Sequence, residues 1–271
     1  MPQSMNIGES NRRNFIKLST LALGGLSVSP SLASANETSV TNPAVTTEEK
    51  KLNILCIGAH PGDPEFGCGG TMVRYSDAGH SVRFLYLTRG EAWAGDKSLS
   101  FDQAAALRTK EAETSCKILN AKALFAGQID DNTELNKKRA EEMTGQILAV
   151  KPDIVFTQWP LDSHMDHQVT ACLSYTAWIR SDQSFDLYYY EVDTGSETIG
   201  FFPTDYVDIT AVRDRKKAAM MAHKTQGPEK IYDTDFKTME DFRGMEAGVK
   251  AAEAFVHFKS KSQRATIMGL K

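Results

Sequence analysis

Between residues 51 and 158 of the 271-residue chain, short apolar runs of strand length alternate with longer amphipathic stretches, and this alternation restricts the fold more than any other feature. Residues 51–59 (KLNILCIGA) form an apolar run with β-branched side chains, and residues 66–78 follow with helical spacing that stops at Gly79. Further strand-like runs cover 81–88, 123–125 and 154–157, and amphipathic helical patterns cover 101–119 and 133–150. Runs that stay apolar, rather than alternating with polar residues, are those of parallel strands covered on both faces. The expected fold is therefore α/β, a Rossmann-like, doubly wound, mostly parallel sheet with helices on both faces in a single domain. Beyond residue 185, two strand-like pieces at 186–192 and 206–209 precede a basic helix over 212–223 and a tail with little pattern.

The first forty residues follow another logic. Arg12 and Arg13 precede Asn14, Phe15, Ile16 and Lys17, an apolar stretch covers 18–28, and Ala33, Ser34 and Ala35 close it. This is a charged region, a short apolar region and a small-residue cleavage site. It resembles the twin-arginine export signal, with Asn11 where Ser or Thr is usual. The apolar stretch is too short and too rich in Gly and Ser to span a bilayer. The expected organisation is a signal peptide over 1–35, a flexible polar leader over 36–50 and one folded domain over 51–271, exported and periplasmic. The four cysteines, Cys56, Cys68, Cys116 and Cys172, form no C-x-x-C pair and sit in apolar surroundings, so they read as buried free thiols. With 31 basic against 35 acidic residues the net charge is −4, and no basic stripe offers a nucleic acid a surface.

In open α/β sheets a ligand lies at the carboxyl ends of the strands. Two such ends carry unusual loops here: His60-Pro61-Gly62-Asp63-Pro64-Glu65 after the first strand, and 159–167 (WPLDSHMDH) after the 154–157 run. G-x-G-x-x-G is absent and the first loop is acidic, which disfavours a dinucleotide pyrophosphate. Two imidazoles and a carboxylate instead suit a metal with a fourth position open for water, and such a metal serves hydrolysis of an amide. Zn²⁺ fits these donors, and Fe²⁺ fits them as well.

The H-P-x-D-x-E loop at His60 and the H-x-D-H loop from His164 to His167 resemble the two signature motifs of the PIG-L/LmbE-like zinc-dependent N-deacetylases. Weaker matches are Thr88-Arg89-Gly90-Glu91, Arg108 with Glu111, an acidic turn at Asp130 and Asp131, and a late His223. The resemblance implies that His60, Asp63 and His167 hold the zinc. It implies that His164 stabilises the oxyanion or protonates the leaving amine, that Asp166 orients His164, and that Arg108 and Asp130 meet sugar hydroxyls. Each residue also has a plainer reading: Asp63 as a helix cap, Asp130 as a turn former, Arg108 as a helix ion pair with Glu111, and His80, His223 and His257 as structural histidines.

One position departs from the family. The loop normally reads His-Pro-Asp-Asp, and its first aspartate serves as general base; this chain has Gly62 there. Three readings follow: Asp162 replaces the base, the metal-bound water reacts without a strong base, or the site binds metal and glycan without turnover. The expected function is removal of an acetyl group from an N-acetylated amino sugar or sugar conjugate. The alternatives are a zinc-containing carbohydrate-binding pseudoenzyme and a hydrolase of another amide or an ester. Trp93, Phe201 and Phe202 are candidates for stacking on a sugar ring.

Overall fold

The computed structural model describes residues 50–259, so the leader expected over 1–35 and nearly all of 36–50 lie outside the described residues. Seven strands, β1 (Asn53–Gly58), β2 (Ser81–Tyr86), β3 (Lys122–Phe125), β4 (Ile154–Gln158), β5 (Asp186–Tyr190), β6 (Asp205–Asp208) and β7 (Ala252–Phe258), form one sheet in the order β3-β2-β1-β4-β5-β7-β6. Strands β1 to β5 pair in parallel, whereas β7 runs antiparallel between β5 and β6. Around them lie α1 (Asp63–Asp77), α2 (Phe101–Ile118), α3 (Lys137–Val150), α4 (Met165–Arg180), α5 (Arg213–Met220), α6 (Pro228–Ile231) and α7 (Lys237–Ala247). Among the described residues no helix is long and apolar enough to cross a membrane.

The side-chain period of two in β1 explains both layers. Ile54 and Cys56 join Phe84, Tyr86 and Phe156 in a core under α1, α2 and α5. Leu55 and Ile57 join Leu85, Leu87 and Val155 in a second core under α3 and α4. Each fully buried aliphatic side chain in these clusters contributes about 1.5–3 kcal/mol. The chain winds outward from β1 through β2 to β3, then crosses back to β4 on the other side of β1. The strand order reverses between β1 and β4, and that reversal opens a crevice at their carboxyl ends.

Element ends depart from expectation where side chains cap them. Helix α1 begins at Asp63, because Glu65 reaches back to accept the Gly62 N–H at 3.1 Å. Helix α3 begins at Lys137 instead of 133, because Asn136 caps it by accepting the Arg139 N–H at 3.0 Å. Thr133 is thereby left in a loop that serves the site. The basic helix α5 ends at Met220, and the tail resolves into α6, a turn of π-helix (Tyr232–Phe236), α7 and β7.

The late elements are tied to α1 by buried charge. Helix α1 loses helical geometry at Cys68 (φ −144°, ψ 19°), and Glu253 of β7 accepts the N–H groups of Gly70 and Thr71 at 2.8 and 2.7 Å. Lys216, with none of its surface exposed, lies 2.8 Å from Glu253 and 2.9 Å from Glu240. Removing one member of such a cluster strands the others without a counter-charge. Lys216→Met is expected to cost about 3–5 kcal/mol of unfolding free energy, read from the denaturant midpoint; an unchanged midpoint would refute this role.

Candidate active site

The crevice between β1 and β4 gathers the two loops. His60 follows β1, Asp63 opens α1, and His167 lies in the first turn of α4. Asp63 Oδ2 sits 3.1 Å from His60 Nδ1 and 3.3 Å from His167 Nε2, and it also accepts the His60 N–H at 2.8 Å and the Gln158 amide at 3.1 Å. One donor atom from each of the three residues lies within 4.8 Å of the others. His60, His164 and Asp166 form a second grouping of the same span, but both carboxylate oxygens of Asp166 are engaged otherwise.

Asp166 Oδ1 accepts the Thr133 hydroxyl at 2.5 Å, and its Oδ2 accepts the Asp131 N–H at 2.9 Å and lies 3.2 Å from His60 Nε2. Asp130 Oδ1 meets the same ring nitrogen at 2.9 Å while its Oδ2 accepts the Ala92 N–H. Two carboxylates thus hold the far nitrogen of His60 and leave Nδ1 for a metal. Asp162 Oδ1 lies 3.1 Å from His167 Nδ1, oblique to the N–H direction, and leaves Nε2 for the metal. Two imidazoles and one carboxylate, each backed in this way, fit a divalent ion with an open position.

These contacts bear on four expectations. Asp166 does not orient the His164 ring; it holds His60, and only its backbone N–H touches His164, donating to Nδ1 at 3.2 Å. Asp130 meets His60 and the Ala92 backbone while lining the cavity above the three donors, as Arg108 and Asp131 do. Asp162 does not occupy the place a base at residue 62 would take, because its buried carboxylate serves His167, the His164 N–H and the Thr198 hydroxyl. Arg108 is likewise committed to carbonyls, donating to Gly90, Trp93 and Pro61 at 2.8–2.9 Å, and it does not pair with Glu111, which accepts from Thr225. His223 is buried against Glu65 at 3.0 Å, His80 accepts the Leu52 N–H, and His257 stacks on Tyr188.

Gly62 adopts φ 113°, a conformation that L side chains rarely take, and a Cβ there would meet the Phe66 ring at 3.5 Å. The backbone is built for glycine, so the missing aspartate is more than a point exchange. A cavity of about 430 Å³ opens over the three donors, lined also by Trp93, His164 and Glu197. The His164 Nδ1 accepts a helix N–H, so its proton resides on Nε2 as a neutral donor. Burial, then the neighbouring His60 and His167, lowers the His164 pKa.

Glu197 is the residue that sequence reasoning missed. It sits in an irregular loop with no motif, fixed by its N–H donating to Asp193 O at 2.8 Å and its carbonyl accepting the Ser163 N–H at 2.9 Å. Its carboxylate makes no hydrogen bond among the described residues and lies 4.0 Å from His167 Nδ1. Burial raises it to about 7, although His167 pulls the other way.

Burial opposes charge on the two metal-site histidines, yet Asp63 and the surrounding carboxylates raise His60 well above the ordinary imidazole value and lift His167 to about 9. In the metal-free chain both rings hold protons at neutral pH, and an ion must displace them. Apparent Zn²⁺ affinity is therefore expected to rise with pH up to about 9 with proton release, measured by calorimetry in buffers of different ionisation enthalpy; pH-independent affinity would contradict the assignment. Asp166→Asn is expected to weaken that affinity by about 10–100-fold, and an unchanged affinity would remove its role behind His60.

Comparison with known proteins agrees with the geometry. The PIG-L family, described as GlcNAc-PI de-N-acetylase, matches residues 55–178. The chain is 30% identical over 220 residues to a diacetylchitobiose deacetylase of Thermococcus kodakarensis, covering 74% of this chain and 80% of the relative. It is 25% identical to a 1D-myo-inositol 2-acetamido-2-deoxy-alpha-D-glucopyranoside deacetylase of Rhodococcus erythropolis, covering 78% and 68%. Among solved structures, the N,N'-diacetylchitobiose deacetylase of Pyrococcus horikoshii, bound to an inhibitor, superimposes with a TM-score of 0.67 at 28% identity over 76% of this chain and 83% of that one. With the seven-stranded sheet and the His60, Asp63 and His167 cluster already in place, this likeness establishes that the chain belongs to the PIG-L family of N-deacetylases.

Proposed function

We propose that the protein removes the acetyl group from an N-acetylated amino sugar or sugar conjugate, releasing acetate and a free amine, with a divalent metal held by His60, Asp63 and His167. The observation that carries the reading is the convergence of those three donors beneath a cavity large enough for a sugar ring. Zn²⁺ suits the donor set, as does Fe²⁺; when bound, the ion supplies a Lewis acid that polarises the acetyl carbonyl and acidifies water.

The chain's own residues do the rest. His164 donates its Nε2–H to the acetyl oxygen as negative charge develops there. Glu197 takes the proton lost by the attacking water and passes it to the departing amine, which relieves the chain of the aspartate absent at Gly62. A carboxylate poised near 7 suits a group that must both accept and return a proton at neutral pH. Asp162, Asp130 and Asp166 act through the histidines as positioning residues. For location, we propose export by the twin-arginine route on the strength of Arg12, Arg13 and the small-residue site at Ala35.

Acetate release from N-acetylglucosamine and its conjugates is expected to be abolished by chelation and restored by Zn²⁺; chelator-resistant release, or none from any N-acetylated sugar, would overturn the reading. Glu197→Gln is expected to lower kcat by about 10²–10⁴-fold with little change in KM and to remove the rising limb of the pH profile. A Glu197→Gln enzyme that keeps its rate and profile would return the choice to an unassisted water.

A further inference from the structure

The metal-binding turn is closed at its base by two sulfur atoms. Cys56 lies near the end of β1 and Cys68 lies within α1, so the segment between them leaves the strand, presents His60 and Asp63, and returns to where it began. Cys56 Sγ and Cys68 Sγ are 2.8 Å apart, closer than two unbonded sulfurs rest and a short movement from the covalent length of about 2.05 Å. Both side chains are fully buried, and Cys68 is the residue at which α1 departs from helical dihedrals. Neither of the other cysteines has a sulfur neighbour of this kind: Cys116 contacts the Tyr86 hydroxyl at 3.4 Å, and Cys172 lies half-buried on α4.

We infer that Cys56 and Cys68 are a disulfide-forming pair whose bond clips the metal-binding turn. Two S–H bonds break and one S–S bond forms; the two electrons and two protons pass to a disulfide oxidant, which leaves as two thiols. In the reduced chain the Cys68 thiol donates to the Pro64 carbonyl at 3.2 Å, so both redox states are accommodated without an orphaned polar group. Burial, and then the thiols' effect on each other, raises the Cys56 pKa well above the ordinary value, and burial likewise raises Cys68. The packed chain therefore presents no thiolate for exchange, and the bond forms when the turn opens. Once packed, the same burial shields it from reductants. The bond closes a short loop containing two of the three metal donors, which restricts the conformations open to that loop when the metal leaves.

The test refolds the full chain from denaturant in a glutathione buffer at an oxidising and at a reducing ratio. Folding is confirmed by circular dichroism, and thiols are then trapped with a maleimide in denaturant and mapped by mass spectrometry. The oxidised sample is expected to lose the Cys56 and Cys68 thiols and yield a linked peptide, while Cys116 and Cys172 remain labelled. Compared with the reduced chain it is expected to melt higher and to release Zn²⁺ to a chelator more slowly. In Cys68→Ala, Cys56 is expected to become reactive and both differences between buffers to vanish. Labelling of all four cysteines in the folded oxidised chain, or a link through Cys116 or Cys172, would overturn the inference. The thiol count is read without substrate, so it stands or falls separately from the deacetylase reading.

Discussion

Asp130 and Asp166 approach the same nitrogen of His60, at 2.9 and 3.2 Å, in a buried crevice. Carboxylates this close tolerate each other only while an N–H donor stands between them. They therefore fix the His60 ring with Nε2 turned back into the protein and Nδ1 turned towards Asp63. At His167 one carboxylate stands at each nitrogen, Asp162 behind Nδ1 and Asp63 before Nε2. Burial by itself raises the Asp166 pKa, but hydrogen bonds from His60, Thr133 and the Asp131 N–H hold it below the usual carboxylate range. A divalent cation entering between the rings meets a charge arrangement that already favours positive charge at that point, and it need only displace protons.

The loops that supply these carboxylates come from separate strand ends, and the sheet order brings them together. Asp130 and Thr133 lie between β3 and α3, Asp166 opens α4, and Glu197 follows β5. Arg108 reaches from α2 to the carbonyls of Pro61, Gly90 and Trp93, so a cation spends its hydrogen bonds on holding two loops. Glu65 performs the matching task below the turn, accepting from Gly62 N–H, Tyr86 hydroxyl and His223. The glycine at 62 takes its place in this arrangement through a backbone conformation that an aspartate would strain, and Glu197, from a distant loop, lines the cavity.

The strands β1 to β5 and helices α1 to α3 were legible in the sequence because each buries a continuous apolar run or a single apolar stripe. The candidate metal donors were legible for a different reason, since His60, Asp63 and His167 sit within short motifs at strand ends. Strand β7 was not legible: AEAFVHF carries Glu253 within a buried strand, and only tertiary contacts, with Lys216 and the Gly70 and Thr71 N–H groups, make that charge tolerable. Asp166 was read as orienting His164 because the two are close in sequence, whereas the first turn of α4 directs its carboxylate to His60; Asp162, read as a base, faces His167 from the loop before α4. Glu197 had no signal at all, since its position follows from an irregular loop pinned by backbone hydrogen bonds to Asp193 and Ser163.

The central claim is that the carboxylates behind His60 and His167 dictate which nitrogens face the ion. Anomalous diffraction at the zinc edge, on crystals of the Zn²⁺-loaded chain, reads this directly. The account requires one strong peak about 2.0–2.2 Å from His60 Nδ1, an Asp63 oxygen and His167 Nε2, with the carboxylates of Asp130, Asp162 and Asp166 outside the coordination sphere. A peak lodged instead among His60 Nε2, His164 and Asp166, or no peak in the crevice, would contradict it.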